Sequence, residues 1–328
     1  MTYQGRALYN LLQMNLKQNP SMEFEKWQME NYRAYSQEEL FKGLEDMEVF
    51  LSEDNFLLYV DECDSPEDLA DCLYLEGDFQ KHEKIFLIVF ELWRRLAPHK
   101  QSLSLFVDEF DHLIELYEEG KSDSEDDLQA ALSSFQMILD DNVDKGGEPK
   151  EGYHFFSEFS CHDLEVFLYE YASHQLDSGN ETYASELVEG FSTYVDNVRW
   201  FDLLRTRLVT LADEEEGKVM LERLLASLKD EPDLYLLFEA LQYLIHVEEA
   251  EQFQMAYMQA LDGIETAEDL HELLTLTAEY FNAIEKEKED GVVLELIEEI
   301  KSMNPEEKAA KDHIAFQILR ELITLSPA

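Results

Sequence analysis

Apolar residues recur along this chain at spacings of three and four positions, which is the pattern of amphipathic helices. The most strongly apolar segment is 77–98, which opens on a Gly-Asp-Phe turn and ends at a proline. Its apolar positions are Ile85, Phe86, Ile88, Val89, Phe90, Leu92, Trp93 and Leu96. They cover most of the circumference of a helix, so neighbouring elements must cover it on several sides. We therefore expect this helix to be the element around which the fold is organised.

The same periodicity predicts helices along most of the chain. In the first part the predicted segments are 2–17, 22–35, 36–51, a helix from Pro66, 77–98, 102–119 and 128–139. In the second part they are 161–176, 182–195, 198–212, 217–229, 233–246, 250–262, 267–285, 291–303 and 308–325. No segment shows a convincing pattern of strands. The sequence therefore predicts an all-α protein of about thirteen to sixteen helices.

Several helix starts carry capping signals. Ser36 and Glu39 have the spacing of a capping box, and Thr266 with Asp269 has it too. Ser65 precedes a proline, which combines an N-cap hydroxyl with the residue favoured at the first helical position. We expect a helix to begin at each of these sites.

One segment interrupts the helical pattern. Residues 140–153 lack apolar periodicity and contain four turn-forming residues, Gly146, Gly147, Pro149 and Gly152. The sequence therefore predicts an N-terminal helical subdomain at 1–141, a linker or long surface loop at 142–159, and a second subdomain at 160–328.

From residue 160 onward the predicted helices come in pairs. The first members begin near residues 161, 198, 233 and 267, a period of about 35 residues. A period of that size with two helices per unit is typical of helix-pair solenoids, in which each pair buries one face on the next. We therefore expect at least the C-terminal half to be a helix-pair solenoid.

Two stretches resemble tetratricopeptide repeats. In the first, Ala70, the Gly-Asp-Phe turn at 77–79 and Pro98 match the small residue, the turn and the closing proline of that family. In the second, residues of suitable size fall at similar offsets: Ala172, Gly179, Ala184 and Val188. The resemblance implies a right-handed superhelix with a concave groove for a peptide or helix of another protein. The family's basic and asparagine clamp has no match here, so no groove residue is assigned.

The charge of the chain is strongly negative. It has 74 acidic and 25 basic residues, a formal net charge of −49. Such a field repels nucleic acid and anionic membranes and raises the rate of association with basic partners. Carboxylates that merely solvate the outer faces of many helices would give the same composition. The charge therefore argues against nucleic acid or a membrane as partner, and it favours a basic protein or peptide.

The cysteines and the apolar runs indicate a compartment. Cys63, Cys72 and Cys161 are odd in number and widely spaced, and no Cys-x-x-Cys motif occurs, which favours a reducing environment. The N-terminus lacks the apolar core of a signal peptide. No apolar run approaches the roughly 20 residues that span a bilayer. We expect a soluble, cytoplasmic protein.

The most specific local pattern resembles an EF-hand calcium loop. Oxygen-bearing residues occupy its first, third, fifth and twelfth positions, namely Asp140, Asn142, Asp144 and Glu151. A lysine stands where the loop needs glycine, a proline interrupts the second half, and no sister loop follows. In so acidic a chain the pattern favours a plain acidic loop.

Glu-x-x-His pairs are a second candidate for metal binding. They occur at Glu109/His112, Glu268/His271 and Glu151/His154. Di-iron carboxylate proteins use this spacing together with two further glutamates on facing helices. With nine histidines in a glutamate-rich chain, accidental matches are expected, so no metal ligand is assigned.

Two further groups of residues carry chemistry in other proteins. Cys161, His162 and Asp163 are the types that form a nucleophile, base and orienter, but adjacent helical residues point in different directions. The arginines beside Trp93 and Trp200 could grip a phosphate or carboxylate, but we favour salt bridges and stacking between helices. Metalloprotease, nucleophile-elbow and P-loop motifs are missing. No catalytic, cofactor-binding or metal-ligating residue is therefore assigned.

These patterns predict a non-enzymatic protein-protein interaction module: a scaffold, adaptor or chaperone-like binder of a polypeptide. Helix-pair stacks usually bind and seldom catalyse. One alternative is an acidic nucleic-acid mimic that occupies a basic protein, which predicts carboxylates in regular rows on one face. The other is a metal-dependent helical enzyme that uses the Glu-x-x-His pairs.

Overall fold

Helices form nearly all the regular structure of the computed structural model, which describes residues 3–74, 77–121, 125–247, 249–301, 303–311 and 313–325. The α-helices in these residues are α1 (Ala7–Gln18), α2 (Gln37–Asp46), α3 (Glu53–Glu62), α4 (Pro66–Leu73), α5 (Phe79–Leu96), α6 (Leu103–Glu118), α7 (Glu125–Asp144), α8 (Pro149–Ser157), α9 (Leu164–Asp177), α10 (Glu181–Phe191), α11 (Val198–Ala212), α12 (Glu214–Asp230), α13 (Leu234–Ile245), α14 (Ala250–Gly263), α15 (Ala267–Ala283), α16 (Glu287–Ile300) and α17 (Ile314–Leu325). Two short 3-10 helices, Lys26–Gln28 and Tyr32–Ala34, lie between α1 and α2. No strand occurs among the described residues, where one isolated bridge joins Thr266 and Lys308. The predicted all-α class is confirmed.

Contacts divide the chain into two compact units. The N-terminal unit comprises residues 1–171 and 189–196, and the C-terminal unit comprises 172–188 and 197–328. The division falls within α9 and α10, and the whole predicted linker at 142–159 belongs to the N-terminal unit.

Helix α5 lies at the centre of the N-terminal unit. All nine residues from Ile85 to Trp93 are buried. Helices α2 and α4 pack against it, and buried apolar residues of α2, α3 and α4 join its core cluster. The Trp93 indole N–H donates to the Lys100 carbonyl at 2.9 Å. The prediction that this helix is covered on several sides is confirmed.

A buried charge on α5 holds a neighbouring segment in place. Glu91 is fully buried and pairs with Arg94 and Arg95 at 2.8 and 2.5 Å. Arg95 also donates to the backbone carbonyls of Tyr32 and Tyr35 at 3.3 and 2.7 Å. The guanidinium therefore links the Glu91 carboxylate to the second 3-10 segment.

The predicted helix at 22–35 is wrong. This segment forms two 3-10 turns, because Arg95 satisfies carbonyls that a helix would have paired with its own amides. The buried side chains of Trp27 and Tyr32 dock the segment on the core, and the Tyr32 hydroxyl donates to the Trp27 carbonyl at 3.0 Å.

The predicted linker at 142–159 is also wrong over most of its length. Helices α7 and α8 leave only residues 145–148 as a connection. Pro149 stands at the first position of α8, where its missing N–H costs nothing. Phe156 is buried and stacks on Phe135 of α7, with ring centroids 3.9 Å apart. Aromatic packing therefore makes a helix of a segment whose glycines and proline suggested a loop.

The C-terminal unit is built from helix pairs. Helix α11 packs on α12, α13 on α14, and α15 on α16. Corresponding helices of successive pairs also contact each other, α13 with α15 and α12 with α14, and α17 packs on α14. The first helices begin at Val198, Leu234 and Ala267, close to the predicted positions. The predicted helix-pair stacking is confirmed for α11–α16.

Gly217 allows the closest approach within a pair. A Cβ atom at this position would lie 2.1 Å from Thr210 Oγ1 and 2.8 Å from Thr210 Cα. Because the second contact is with backbone, no side-chain rotation relieves it. The absence of a side chain at Gly217 therefore lets α12 fold back closely on α11.

The last predicted helix, 308–325, begins six residues late. Residues before α17 run beside the start of α15, where the Ala267 N–H donates to the Glu307 carbonyl and the Ala309 N–H to the Glu265 carbonyl, at 2.8 and 2.9 Å. These pairings satisfy backbone groups that a longer helix would have used internally.

The predicted helix starts are confirmed. Ser36 and Glu39 form a reciprocal capping box on α2, and Thr266 and Asp269 form one on α15. The Ser65 hydroxyl accepts the N–H of the third residue of α4, which opens with proline as expected.

Candidate functional site

Two buried aspartates lie one turn apart on α6, and each organises a polar cluster. Both Asp108 and Asp111 are 3% exposed. Asp108 pairs with Arg6 at 3.1 Å and with Arg33 at 2.6 Å, and the Asn10 amide donates to it at 2.9 Å. This cluster ties α1 and the second 3-10 segment to α6.

The electrostatics of Asp108 indicate a structural role. Burial alone would raise the pKa of this carboxyl, but Arg6 and Arg33 outweigh burial and hold the pKa below its ordinary value of 3.8. The carboxylate is therefore ionised at neutral pH and shared between two cations.

The second aspartate holds the connection between α8 and α9. Asp111 accepts hydrogen bonds from the Ser160 hydroxyl at 2.6 Å and the Cys161 N–H at 2.9 Å. His162 Nδ1 lies 3.1 Å from Asp111 Oδ1 and 3.5 Å from Cys161 Sγ. Ligand atoms of Asp111, Cys161 and His162 all lie within 4.8 Å of one another. We name these three residues the Asp111 cluster.

The Asp111 cluster does not have the geometry of a catalytic triad. Asp163 caps α9 instead of orienting His162, and Asp111 takes the place beside the ring. Cys161 and Asp111 both contact Nδ1, whereas a triad needs them at opposite ring nitrogens. Burial, followed by the charge of Asp111, raises the pKa of Cys161. The thiol is therefore protonated at neutral pH and is a poor nucleophile.

No sequence motif indicated the role of Asp111. It lies fifty residues from Cys161, on the same helix as the buried side chains of Phe110 and Ile114. The one local signal is an aspartate beside apolar positions of α6, and solvated aspartates give that signal as well.

The Glu-x-x-His pairs are not gathered into a metal site. Within the described residues, the Asp111 cluster is the only group of three or more Cys, His, Asp or Glu side chains whose ligand atoms converge. His112 lies 3.8 Å from Glu115, and His154 contacts Asp196 at 2.8 Å. Neither Glu109/His112 nor Glu268/His271 belongs to a converging set.

The calcium-loop pattern at 140–151 has no loop to support it. Its first five positions lie in α7, so Asp140, Asn142 and Asp144 project around a helix and do not converge as calcium ligands must. The Tyr194 hydroxyl donates to Asp140. The expectation of a plain acidic loop is therefore wrong for these five positions, which are helical.

The clustered arginines have structural partners, as the sequence favoured. Arg199 donates to the Glu231 carbonyl at 2.6 Å. Arg207 pairs with Asp177 at 2.5 Å and lies 5.8 Å from the centre of the Tyr243 ring. These contacts join α11 to α9, to α13 and to the segment before α13.

Cys63 and Cys72 are placed to form a disulfide on oxidation. Their Sγ atoms lie 4.0 Å apart, with Cys63 buried and Cys72 exposed. Burial, followed by the neighbouring Cys72, raises the pKa of Cys63 to about 12, so oxidation begins at the accessible thiol of Cys72.

With oxidised glutathione we expect Cys72 to form a mixed disulfide and Cys63 to displace glutathione from it, for a total of two reduced glutathiones released. Thiol titration after unfolding should fall from three groups to one.

The matched control for this oxidation is Cys72→Ser, which cannot form this disulfide. After oxidation, both remaining cysteines of the variant should be free thiols, or one of them should carry a glutathione. Three free thiols after oxidation of the wild type, or glutathione retained on both residues, would contradict the expected disulfide.

A cleft of about 340 Å³ lies in the C-terminal unit, lined by residues of α11, α12 and α13 and by the segment before α14. The two charges at its edge, Lys218 and Glu249, form an ion pair of 2.7 Å. Glu214 is a further charged residue of the lining, so the cleft presents one carboxylate besides this ion pair.

The first helices of the three pairs each have a stripe of exposed and half-buried residues. Positions i, i+4, i+7 and i+11 of a helix lie on one face. On α11, α13 and α15 none of the twelve side chains at these positions is buried: Val198, Asp202, Arg205, Val209, Tyr235, Glu239, Gln242, His246, Glu268, Glu272, Thr275 and Glu279. We name these twelve residues the first-helix face.

Contacts link the three first helices in succession. The Trp200 indole donates to Asp233 at 3.0 Å near one end of α11 and α13, and Arg207 meets Tyr243 near the other. Helix α13 in turn contacts α15.

The first-helix face is acidic. Five of its twelve residues are carboxylates, and its one arginine, Arg205, pairs with Asp202 at 2.7 Å. Asp202, Glu239 and Glu272 each stand at the second of the four stripe positions of their helix. Tyr235, one turn before Glu239 on α13, is 64% exposed and offers a large apolar surface.

Comparisons with known proteins identify no relative. No protein-family model, curated protein or solved structure matches this chain. Across the described helices, no segment combines the length and apolarity that a membrane span requires.

Proposed function

We propose that this chain is a non-enzymatic binding module that holds a basic, extended polypeptide segment across the first-helix face. The observation that carries the proposal is that Asp202, Glu239 and Glu272 stand at matching stripe positions of three successive first helices, which we infer to form one row. The resemblance to tetratricopeptide repeats supports it, since that family binds peptides.

The spacing of the row suits an extended chain. Packed helices lie about 8–10 Å apart, and an extended peptide advances about 3.3 Å per residue. Successive carboxylates are therefore about three peptide residues apart. The expected ligand carries lysine or arginine at every third position, with an apolar residue near Tyr235.

A designed peptide pair tests this spacing. One fluorescent peptide carries lysine at every third position, and the second has the same composition with its lysines in one block. By fluorescence anisotropy at low ionic strength, we expect tighter binding of the spaced peptide. Exposed ion pairs contribute about 0.2–1 kcal/mol each, so the double variant Glu239→Gln/Glu272→Gln should weaken binding roughly 2- to 25-fold.

The matched control removes the same charge elsewhere in the same unit. Glu295 and Glu298 are exposed on α16, and the variant Glu295→Gln/Glu298→Gln should bind the spaced peptide as the wild type does. Equal weakening by both double variants, or equal affinity for the two peptides, would show attraction by net charge alone and would overturn the proposal.

The distribution of charge does not favour a nucleic-acid mimic. Exposed carboxylates also lie on the second helices of the pairs, for example Glu214 and Glu222 on α12 and Glu295 on α16. A mimic predicts a regular row confined to one face.

A further inference from the structure

Asp111 has fewer basic partners than Asp108, its neighbour on α6. Asp108, equally buried, has two arginine partners. The only basic side chain within 4 Å of the Asp111 carboxylate, in the described part of the chain, is His162. A buried carboxylate with so little cationic support is a favourable ligand for a bound cation.

Two distances within the cluster lie close to the edges of a tetrahedral metal site. Zinc binds sulfur at about 2.3 Å and nitrogen or oxygen at about 2.0–2.1 Å, which places neighbouring ligand atoms about 3.3–3.6 Å apart. The distance from Cys161 Sγ to His162 Nδ1 is 3.5 Å, and that from Nδ1 to Asp111 Oδ1 is 3.1 Å. Small rotations of three side chains would admit the ion.

We propose that Asp111, Cys161 and His162 form a three-ligand site for Zn²⁺. The sulfur, nitrogen and oxygen donors are the set that zinc prefers, and a fourth position stays open for water. A carboxylate and a thiolate balance the two charges of the ion. The site is independent of the first-helix face and does not rest on the proposed peptide binding.

The surroundings of the cluster provide the outer hydrogen bonds that orient metal ligands. The Ser160 hydroxyl donates to Asp111 Oδ1, and the Cys161 N–H donates to Oδ2. Glu118 Oε2 lies 4.0 Å from His162 Nε2, too far for a hydrogen bond in this structure but near the second ring nitrogen, where a metal-bound histidine commonly has a carboxylate partner.

Metal binding here must displace the thiol proton. Zinc binds the thiolate form of cysteine, so one proton should be released per zinc bound and affinity should fall as the pH is lowered.

Titration of chelator-treated, full-length protein with Co²⁺ and Zn²⁺ tests the site. We expect one high-affinity ion per chain and, with Co²⁺, the near-ultraviolet charge-transfer absorption of a thiolate bond. Zn²⁺ should abolish that absorption by displacing the cobalt. Cys161→Ser should remove the absorption and weaken Zn²⁺ binding by about 100-fold or more, since even outer-shell changes cost about 10- to 100-fold.

Two control variants distinguish metal binding at this site from metal binding by other cysteine or histidine side chains of the chain. Cys72→Ser removes an exposed thiol, and His112→Ala removes the histidine of a Glu-x-x-His pair; both should leave binding unchanged. If Cys161→Ser fails to fold, the Zn²⁺ affinity of His162→Gln and the cobalt absorption of the wild type still test the proposal. Wild-type protein that shows no thiolate-to-cobalt absorption, or whose Zn²⁺ affinity is unaffected by His162→Gln, overturns the proposal.

Discussion

Replacing Trp93 by alanine is expected to lower the free energy of unfolding by about 3–5 kcal/mol. The indole is fully buried in the core of the N-terminal unit, so truncation leaves a cavity that its neighbours fill only in part. The variant also loses the hydrogen bond to the Lys100 carbonyl. Urea unfolding followed by far-ultraviolet circular dichroism measures the change, because this signal does not depend on the deleted tryptophan.

The matched control lies at the start of the same helix. Phe79 is 74% exposed, so Phe79→Ala should change the unfolding free energy by less than about 0.5 kcal/mol. If Trp93→Ala costs no more than this control, the central position of α5 in the core is wrong.

Replacing Asp108 by asparagine is the second change with a large expected effect. It keeps the size of the side chain but leaves Arg6 and Arg33 without their shared carboxylate. Breaking a buried pair in this way costs about 3–5 kcal/mol, because it leaves uncompensated buried charge. The neighbouring variant Glu109→Gln, at a half-exposed carboxylate 3.6 Å from Arg33, should cost less than about 1 kcal/mol.

The difference in stability between the wild type and Asp108→Asn is expected to depend on pH. The folded-state pKa of Asp108 lies below the unfolded value near 3.8, so its contribution is complete above that value and is lost as the pH falls through the lower, folded-state pKa. The stability difference between wild type and Asp108→Asn should therefore be constant near neutral pH and shrink in strong acid. A difference that grows on acidification would contradict this assignment of charge.

Most of the fold could be predicted from local sequence, because apolar spacing and capping residues act over one or two turns. The buried run of α5, the capping boxes at Ser36 and Thr266, and the proline that opens α4 all follow from such signals. The two wrong predictions, a helix at 22–35 and a linker at 142–159, share a different cause, which is contact with residues far away in the sequence. Segment 22–35 is held by Arg95, which lies some sixty residues away, and α8 is held by aromatic stacking on α7.

The candidate sites were less accessible to prediction. Cys161 and His162 stand out in the sequence, but their carboxylate partner comes from another helix, and no spacing rule joins it to them. The first-helix face differs in this respect, because a regular period places its residues. What the sequence could not supply is which side of each helix stays exposed, since that depends on how the pairs stack.

The contacts between like helices of successive pairs have a consequence for how such a chain can change over generations. Duplication or loss of one helix pair of about 35 residues would add or remove a unit together with its packing contacts to the next pair. The stack could thus grow or shrink by whole modules without redesign of the existing interior. In the proposed binding mode, an added module with a carboxylate at the matching position would add one contact for the peptide. The length of the peptide site would then change without change to the existing core.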